Sequence, residues 1–97
     1  MSSNESINEF EHGKTRIMAE AREALRRIGV EYHCVMFDLH GSQPRPDGAA
    51  LTVSAEGNSV SDWFAADEIE DSRDRISRPD VRHKIASLAA RVRESVT

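Results

Sequence analysis

Apolar positions along the chain change their spacing twice. Ile7, Phe10, Ile17, Ala21, Ala24, Leu25 and Ile28 fall on one stripe of a 3.6-residue period, which predicts an amphipathic helix over 6–28. Ser6 and Glu9 have the spacing of a capping box at its start. Gly29 suits the left-handed position after its end, with Val30 packing back as in a Schellman motif. Gly13 costs about 1 kcal/mol relative to Ala inside a helix, so residues 1–11 are expected to be frayed or partly disordered. Thr15 to Ile28 is the firm part.

The period then drops to two. Residues 30–40 predict a strand rich in Tyr, Val and Phe, too short for a helix before Gly41. His33, Val35, Phe37 and Leu39 share one face; Val30, Tyr32, Cys34 and Met36 share the other. Apolar groups on both faces point to a central strand, or to one whose second face a partner covers. Residues 41–48, "GSQPRPDG", are expected to loop, with Asp47-Gly48 ending in a turn. A second strand follows at 50–56, and "EGNS" predicts a hairpin with positive φ at Gly57 and Asn58. A third strand pairs back over 59–65, followed by an acidic turn or short helix; one helix through 61–76 is the alternative.

Helical spacing returns at the end. Ser77 and Asp80 predict a cap with Pro79 in the first turn, and Val81, Ile85, Leu88, Ala89, Val92 and Val96 line one stripe. The expectation is therefore a single α+β domain over 1–97. It has two layers in the order α-β-β-β-α, a three-stranded antiparallel sheet carrying both helices on one face.

Bulk properties narrow the function. A chain of 97 residues buries roughly 60–65% of its unfolded surface, which leaves little material for a deep catalytic cleft. Its single cysteine cannot form an internal disulfide. The polar, acidic start has no apolar segment of a signal peptide, and no stretch approaches the ~18 apolar residues of a membrane span. A cytoplasmic protein without membrane attachment is expected.

Candidate chemistry is sparse. "EYHCVMFDLHGS" (31–42) gathers His33, Cys34, Asp38 and His40, but strand alternation sends His33 away from the other three. Cys34 and Asp38 share a face about 13 Å apart, too far for one ion. Asp38 and His40, about 6.6 Å apart, are the one pair able to share a ligand, and two ligands do not make a structural zinc site. Mid-strand, Cys34 reads as a small buried hydrophobe rather than a nucleophile. "HGKT" (12–15) ends like a phosphate-binding loop, yet Asn8 stands where the pattern needs Gly. "DWFAADEIEDSRD" (62–74) is dense in acids without the register of a calcium loop. No catalytic residue, metal ligand or cofactor is expected, and the chain reads as non-enzymatic.

What remains is recognition. Trp63 and Phe64 beside Asp67 and Glu68 are the protein-interface candidates, because large aromatics among acids anchor interfaces. Formal charge is segregated: residues 12–30 carry +3, 62–74 carry −5 and 75–97 carry +4, within a net −4. Eleven of thirteen basic residues are Arg, which suits carboxylate and phosphate recognition. Arg22, Arg26, Arg27, Arg82, Lys84 and Arg91 are accordingly the anion-contact candidates.

The element order is that of double-stranded RNA-binding domains. Those domains resemble one another through a Lys-Lys-containing start to the last helix, and "SRPDVRHK" (77–84) departs from it. The acidic stretch before that helix also repels phosphates. The whole-length pattern, with "DWFAADEI" before "RPDVRHKIASLAARVRE", resembles a family of small bacterial proteins grouped as a domain of unknown function. That resemblance implies no activity and transfers no site residue. The leading expectation is a protein-interaction module with a protein partner or a second copy of itself. A nucleic-acid or polyanion binder is the alternative.

Overall fold

The first apolar stripe forms α1 (Ser2–Arg27), which buries Phe10, Ile17, Ala21 and Leu25. The structure, a computed structural model, describes residues 2–37 and 47–96, with side chains from residue 9 onward. α1 begins at Ser2 rather than Ser6 and runs through Gly13 without a break, so the predicted capping box does not mark its start. Its end is as expected. Gly29 has φ +78°, Val30 N–H donates to Leu25 O at 2.9 Å and Gly29 N–H to Arg26 O at 3.1 Å, the two bonds of a Schellman motif.

The sheet comprises β1 (Cys34–Phe37), β2 (Gly48–Ala55) and β3 (Asn58–Ala65), antiparallel in the order β1-β2-β3. β2 is the central strand, and β1 lies on an edge, which corrects the central reading of 30–40. β1 also starts later than expected, because Val30 is committed to the helix cap. Asp38, His40 and residues 41–46 of the expected loop lie outside the described residues. Gly48 opens β2 instead of closing a turn. The β2–β3 hairpin turns on Glu56 (φ +50°) and Gly57 (φ +82°), while Asn58 is already strand. Positive φ therefore falls one residue earlier than predicted, as a two-residue turn of type I′ requires.

After β3 the chain makes α2 (Ala66–Asp71) and then α3 (Pro79–Val96), so the strand-then-short-helix reading of 61–76 holds over a single helix. Pro79 occupies the first turn, but the cap is not Ser77. Arg82 N–H donates to Arg78 O at 3.1 Å, which makes Arg78 the capping residue, and Asp80 accepts from the Val81 N–H at 3.0 Å.

The architecture is α+β, with element order α-β-β-β-α-α and all described strands antiparallel. Val35, Phe37, Ala49, Leu51, Val53 and Phe64 point to one face of the sheet and are buried there. α1 covers that face over β1, and α3 covers it over β3 and β2. The rings of Phe37 and Phe64 meet edge-on with centroids 6.0 Å apart beneath the helices. No helix among the described residues is long and apolar enough to cross a membrane.

Candidate functional site

The strand register decides which side chains share the bare face of the sheet. Cys34 pairs with Ser54 and Ser54 with Ser59; Met36 pairs with Thr52 and Thr52 with Ser61; Ala50 pairs with Trp63. Residues directly opposite one another project to the same side. These three rows therefore form one continuous surface opposite the helices. Among the described residues it contains no charged side chain, in a chain that is 31% charged. Met36 and Trp63 are 53% and 52% exposed on it. Thr52 and Ser61 share a hydrogen bond at 2.8 Å, and Ser54 and Ser59 one at 3.3 Å, so the hydroxyl rows are partly satisfied within the sheet.

Trp63 owes its pose to Gly48. A Cβ built on Gly48 would lie 2.6 Å from the Trp63 ring and 2.3 Å from Phe64 O. Only a residue without a side chain lets the indole lie down against β2.

The predicted interface quartet is divided by the fold. Phe64 is fully buried in the core and Glu68 is buried at the start of α2, leaving Trp63 and Asp67 at the surface. Glu68 Oε1 accepts from Ala65 N–H at 2.8 Å and from Lys84 Nζ at 2.7 Å. Lys84 also donates to Trp63 O at 2.9 Å and stands 5.3 Å above the Phe64 ring. Asp67 is 3.1 Å from Arg78, whose guanidinium also reaches Asp71 and Asp80 at 3.1 and 2.7 Å. The hydrogen bonds of Arg78 hold the carboxyls of Asp67 and Asp80 below the ordinary aspartate range, and the Arg78 guanidinium correspondingly above its own.

The anion-contact candidates are likewise dispersed. Arg26 pairs with Glu23, Lys84 with Glu68, and Arg91 with Asp62 at 3.3 Å. Arg22 lies beside β1, near Met36. Arg27 and Arg82 do converge, across a cleft of about 430 Å³ between α1 and α3 that also takes in Arg16 and Arg75. Sequence reasoning overlooked those two. Arg16, Glu20, Ala24 and Arg27 recur at helical spacing, as do Arg82, Ala86, Ala89 and Arg93, so that signal was present. Arg75 comes from the α2–α3 connection, where no spacing rule reaches it.

His33 is exposed and Cys34 half-buried on the bare face, so the thiol is less enclosed than expected. "HGKT" lies within α1. No group of three or more potential metal ligands occurs among the described residues. No protein-family model, curated protein or solved structure matches the chain.

Proposed function

We propose that the chain is a non-enzymatic protein-interaction module of the bacterial cytoplasm, and that its bare sheet face pairs with a second copy of itself. The observation that carries this reading is the exposure of Met36 and Trp63, each about half exposed, on a face whose described residues carry no charge. Charged residues are what natural sheets ordinarily place on solvent faces and edges. Their absence among the described residues of this face lowers the like-charge repulsion that a chain of net −4 meets on self-association.

The placement of the two large apolar groups fits twofold symmetry. Met36 stands on β1 and Trp63 on β3, the two outer strands. A twofold axis running along β2, between facing sheets, sets β1 of one copy over β3 of the other. Met36 of each copy then meets the Trp63 side of its partner, a thioether-to-indole contact made twice. Two strands about 26 Å long and one about 13 Å long, about 4.8 Å apart, present roughly 310 Å² per copy, which belongs to the transient class of interface.

Sedimentation over about 10 µM to 1 mM tests this, a range suited to weak association. A concentration-dependent monomer–dimer equilibrium is expected, with Trp63 emission shifting to the blue as dimer forms. Trp63→Glu and Met36→Glu should each return a monomer with an unchanged circular dichroism spectrum. A wild-type chain that sediments as an ideal monomer up to the highest concentration would overturn the proposal.

A further inference from the structure

A second surface lies on the opposite side of the molecule. The cleft bearing Arg16, Arg27, Arg75 and Arg82 continues into a second of about 480 Å³, and the two share Ala24, Arg27 and Ala86. Together they form one trough between α1 and α3, open along its length. Ala24, Ile28, Ala86, Ala89 and Ala90 supply an apolar surface of mostly small side chains. From Arg82 to Arg93 the trough runs about 16 Å at the rise of an α-helix, the span of a three-turn segment.

The charge on this trough is lopsided. Arg16, Arg75 and Arg82 crowd one end with Glu20 the single acid among the described residues lining it, Arg27 stands where the two clefts meet, and the other end is lined by Arg93 and Glu94. Arg16, Arg27 and Arg75 make no ion pair or hydrogen bond with another described side chain, in contrast to Arg78 and Arg91. Arg82 donates its Nε–H to Ile76 O at 2.9 Å, which ties the side chain to the α2–α3 connection while it lines the cleft. Unpaired guanidinium groups gathered against the sign of the whole chain ask for carboxylates.

We infer that the trough between α1 and α3 docks an acidic amphipathic helix of a partner protein. Its apolar residues at i, i+3/i+4 and i+7 seat on the alanine floor, where small side chains let the two backbones approach closely. Its carboxylates, clustered toward one end, meet Arg16, Arg75 and Arg82. A nucleic acid fits less well. The floor offers it nothing to stack on, and Asp67, Asp71 and Asp74 stand on the neighbouring segment. This inference uses different residues from the sheet-face pairing and does not depend on it.

The test is selection from a displayed library of helical 14-residue peptides against the immobilised full chain, followed by fluorescence anisotropy of the winners. Enriched sequences should carry Asp or Glu at one end and apolar residues at i, i+3/i+4 and i+7. Arg75→Glu and Arg16→Glu should each weaken binding at least tenfold, and Ala86→Gln should block the floor, while Arg22→Glu, beside β1, should have no effect. Replacing the facing peptide acid by Lys should restore binding to the Arg75→Glu chain. No enriched peptide, an acid-poor consensus, or binding insensitive to Arg75→Glu and Ala86→Gln would each overturn the inference. So would tighter capture of oleate or of a duplex RNA by the same four arginines. Self-association that persists in Trp63→Glu but is lost in Arg75→Glu would assign the trough to a second copy instead, and would also sink it.

Discussion

Gly13 of α1 lies directly against the backbone carbonyl of Ile69 in α2: a Cβ at that position would stand 1.8 Å from the oxygen. This contact gives the mid-helix glycine its reason. Gly13→Ala gains about 1 kcal/mol of helix propensity. It must also push α2 away from α1, at a cost of several times that where backbone atoms collide. A net loss of about 2 kcal/mol is expected, which lowers the thermal midpoint by roughly 8–16 °C for a domain of this size. Differential scanning calorimetry checks it; a midpoint raised or unchanged would show that the two helices separate freely.

Glu68 and Lys84 form the second tie. Glu68 Oε1 caps the start of α2 through the Ala65 N–H and pairs with Lys84 Nζ, so one buried carboxylate joins β3, α2 and α3. Lys84→Met leaves that carboxylate without its cation and should cost about 2–3 kcal/mol. Glu68→Gln keeps an acceptor for Ala65 and should cost less. The double variant should be more stable than the two single losses predict by about 1 kcal/mol or more, because the desolvated pair is removed whole. A double-mutant cycle by urea denaturation reads the coupling, and additive losses would show that the two side chains act independently.

These two contacts also mark where sequence stops being informative. The stripes of α1 and α3, the Schellman end at Gly29 and the β2–β3 hairpin were legible because each depends on neighbours within a few residues. The edge position of β1 was not, since strand order is settled by pairing between segments far apart in the chain. Gly13 read as a cost because Ile69, which makes it necessary, is distant in sequence. Glu68 read as a surface acid because the cation that lets it be buried, Lys84, sits on another helix. The same division holds for the surfaces. Trp63 was legible as an interface candidate but not separable from Phe64, and that Met36 shares its face followed only from the pairing of β1 with β2 and of β2 with β3. Arg16 and Arg82 sit on readable helical spacings; Arg75 joins them only through the path of the α2–α3 connection.

The Arg78 cluster predicts a pH dependence. Asp67 and Asp80 titrate below the ordinary aspartate range because Arg78 hydrogen-bonds their charged forms. A group depressed in the folded state contributes stability that is fully present above its unfolded value, near 3.9, and is lost as pH falls through its folded value. The wild-type chain should therefore exceed Arg78→Ala in urea midpoint from about pH 5 upward, with the gap closing progressively below about pH 4. Both carboxylates are solvent-exposed, so added salt should narrow the gap as well. Urea midpoints at pH 3, 5 and 7 measure it, and a gap independent of pH would assign the role of Arg78 to packing alone.

The hairpin turn carries a small strain that can be relieved. Glu56 holds φ at +50°, a left-handed conformation that costs an ordinary side chain about 1 kcal/mol and costs Asn less. Gly57, at φ +82°, already meets the demand of the second turn position. Glu56 is exposed, so replacing it sacrifices no burial. Glu56→Asn creates the Asn-Gly pair favoured in two-residue hairpins and should stabilise the chain by about 0.5–1 kcal/mol. Because the turn sets the β2–β3 register, from Ala55–Asn58 at the turn out to Gly48–Ala65 at the far end, the gain should appear across the whole hairpin. Hydrogen-exchange protection of Val53 and Phe64 should rise together with the unfolding free energy. Gly57→Ala, placed where φ is again positive, should do the opposite, and equal stability of both variants would show that the turn is not held in this conformation.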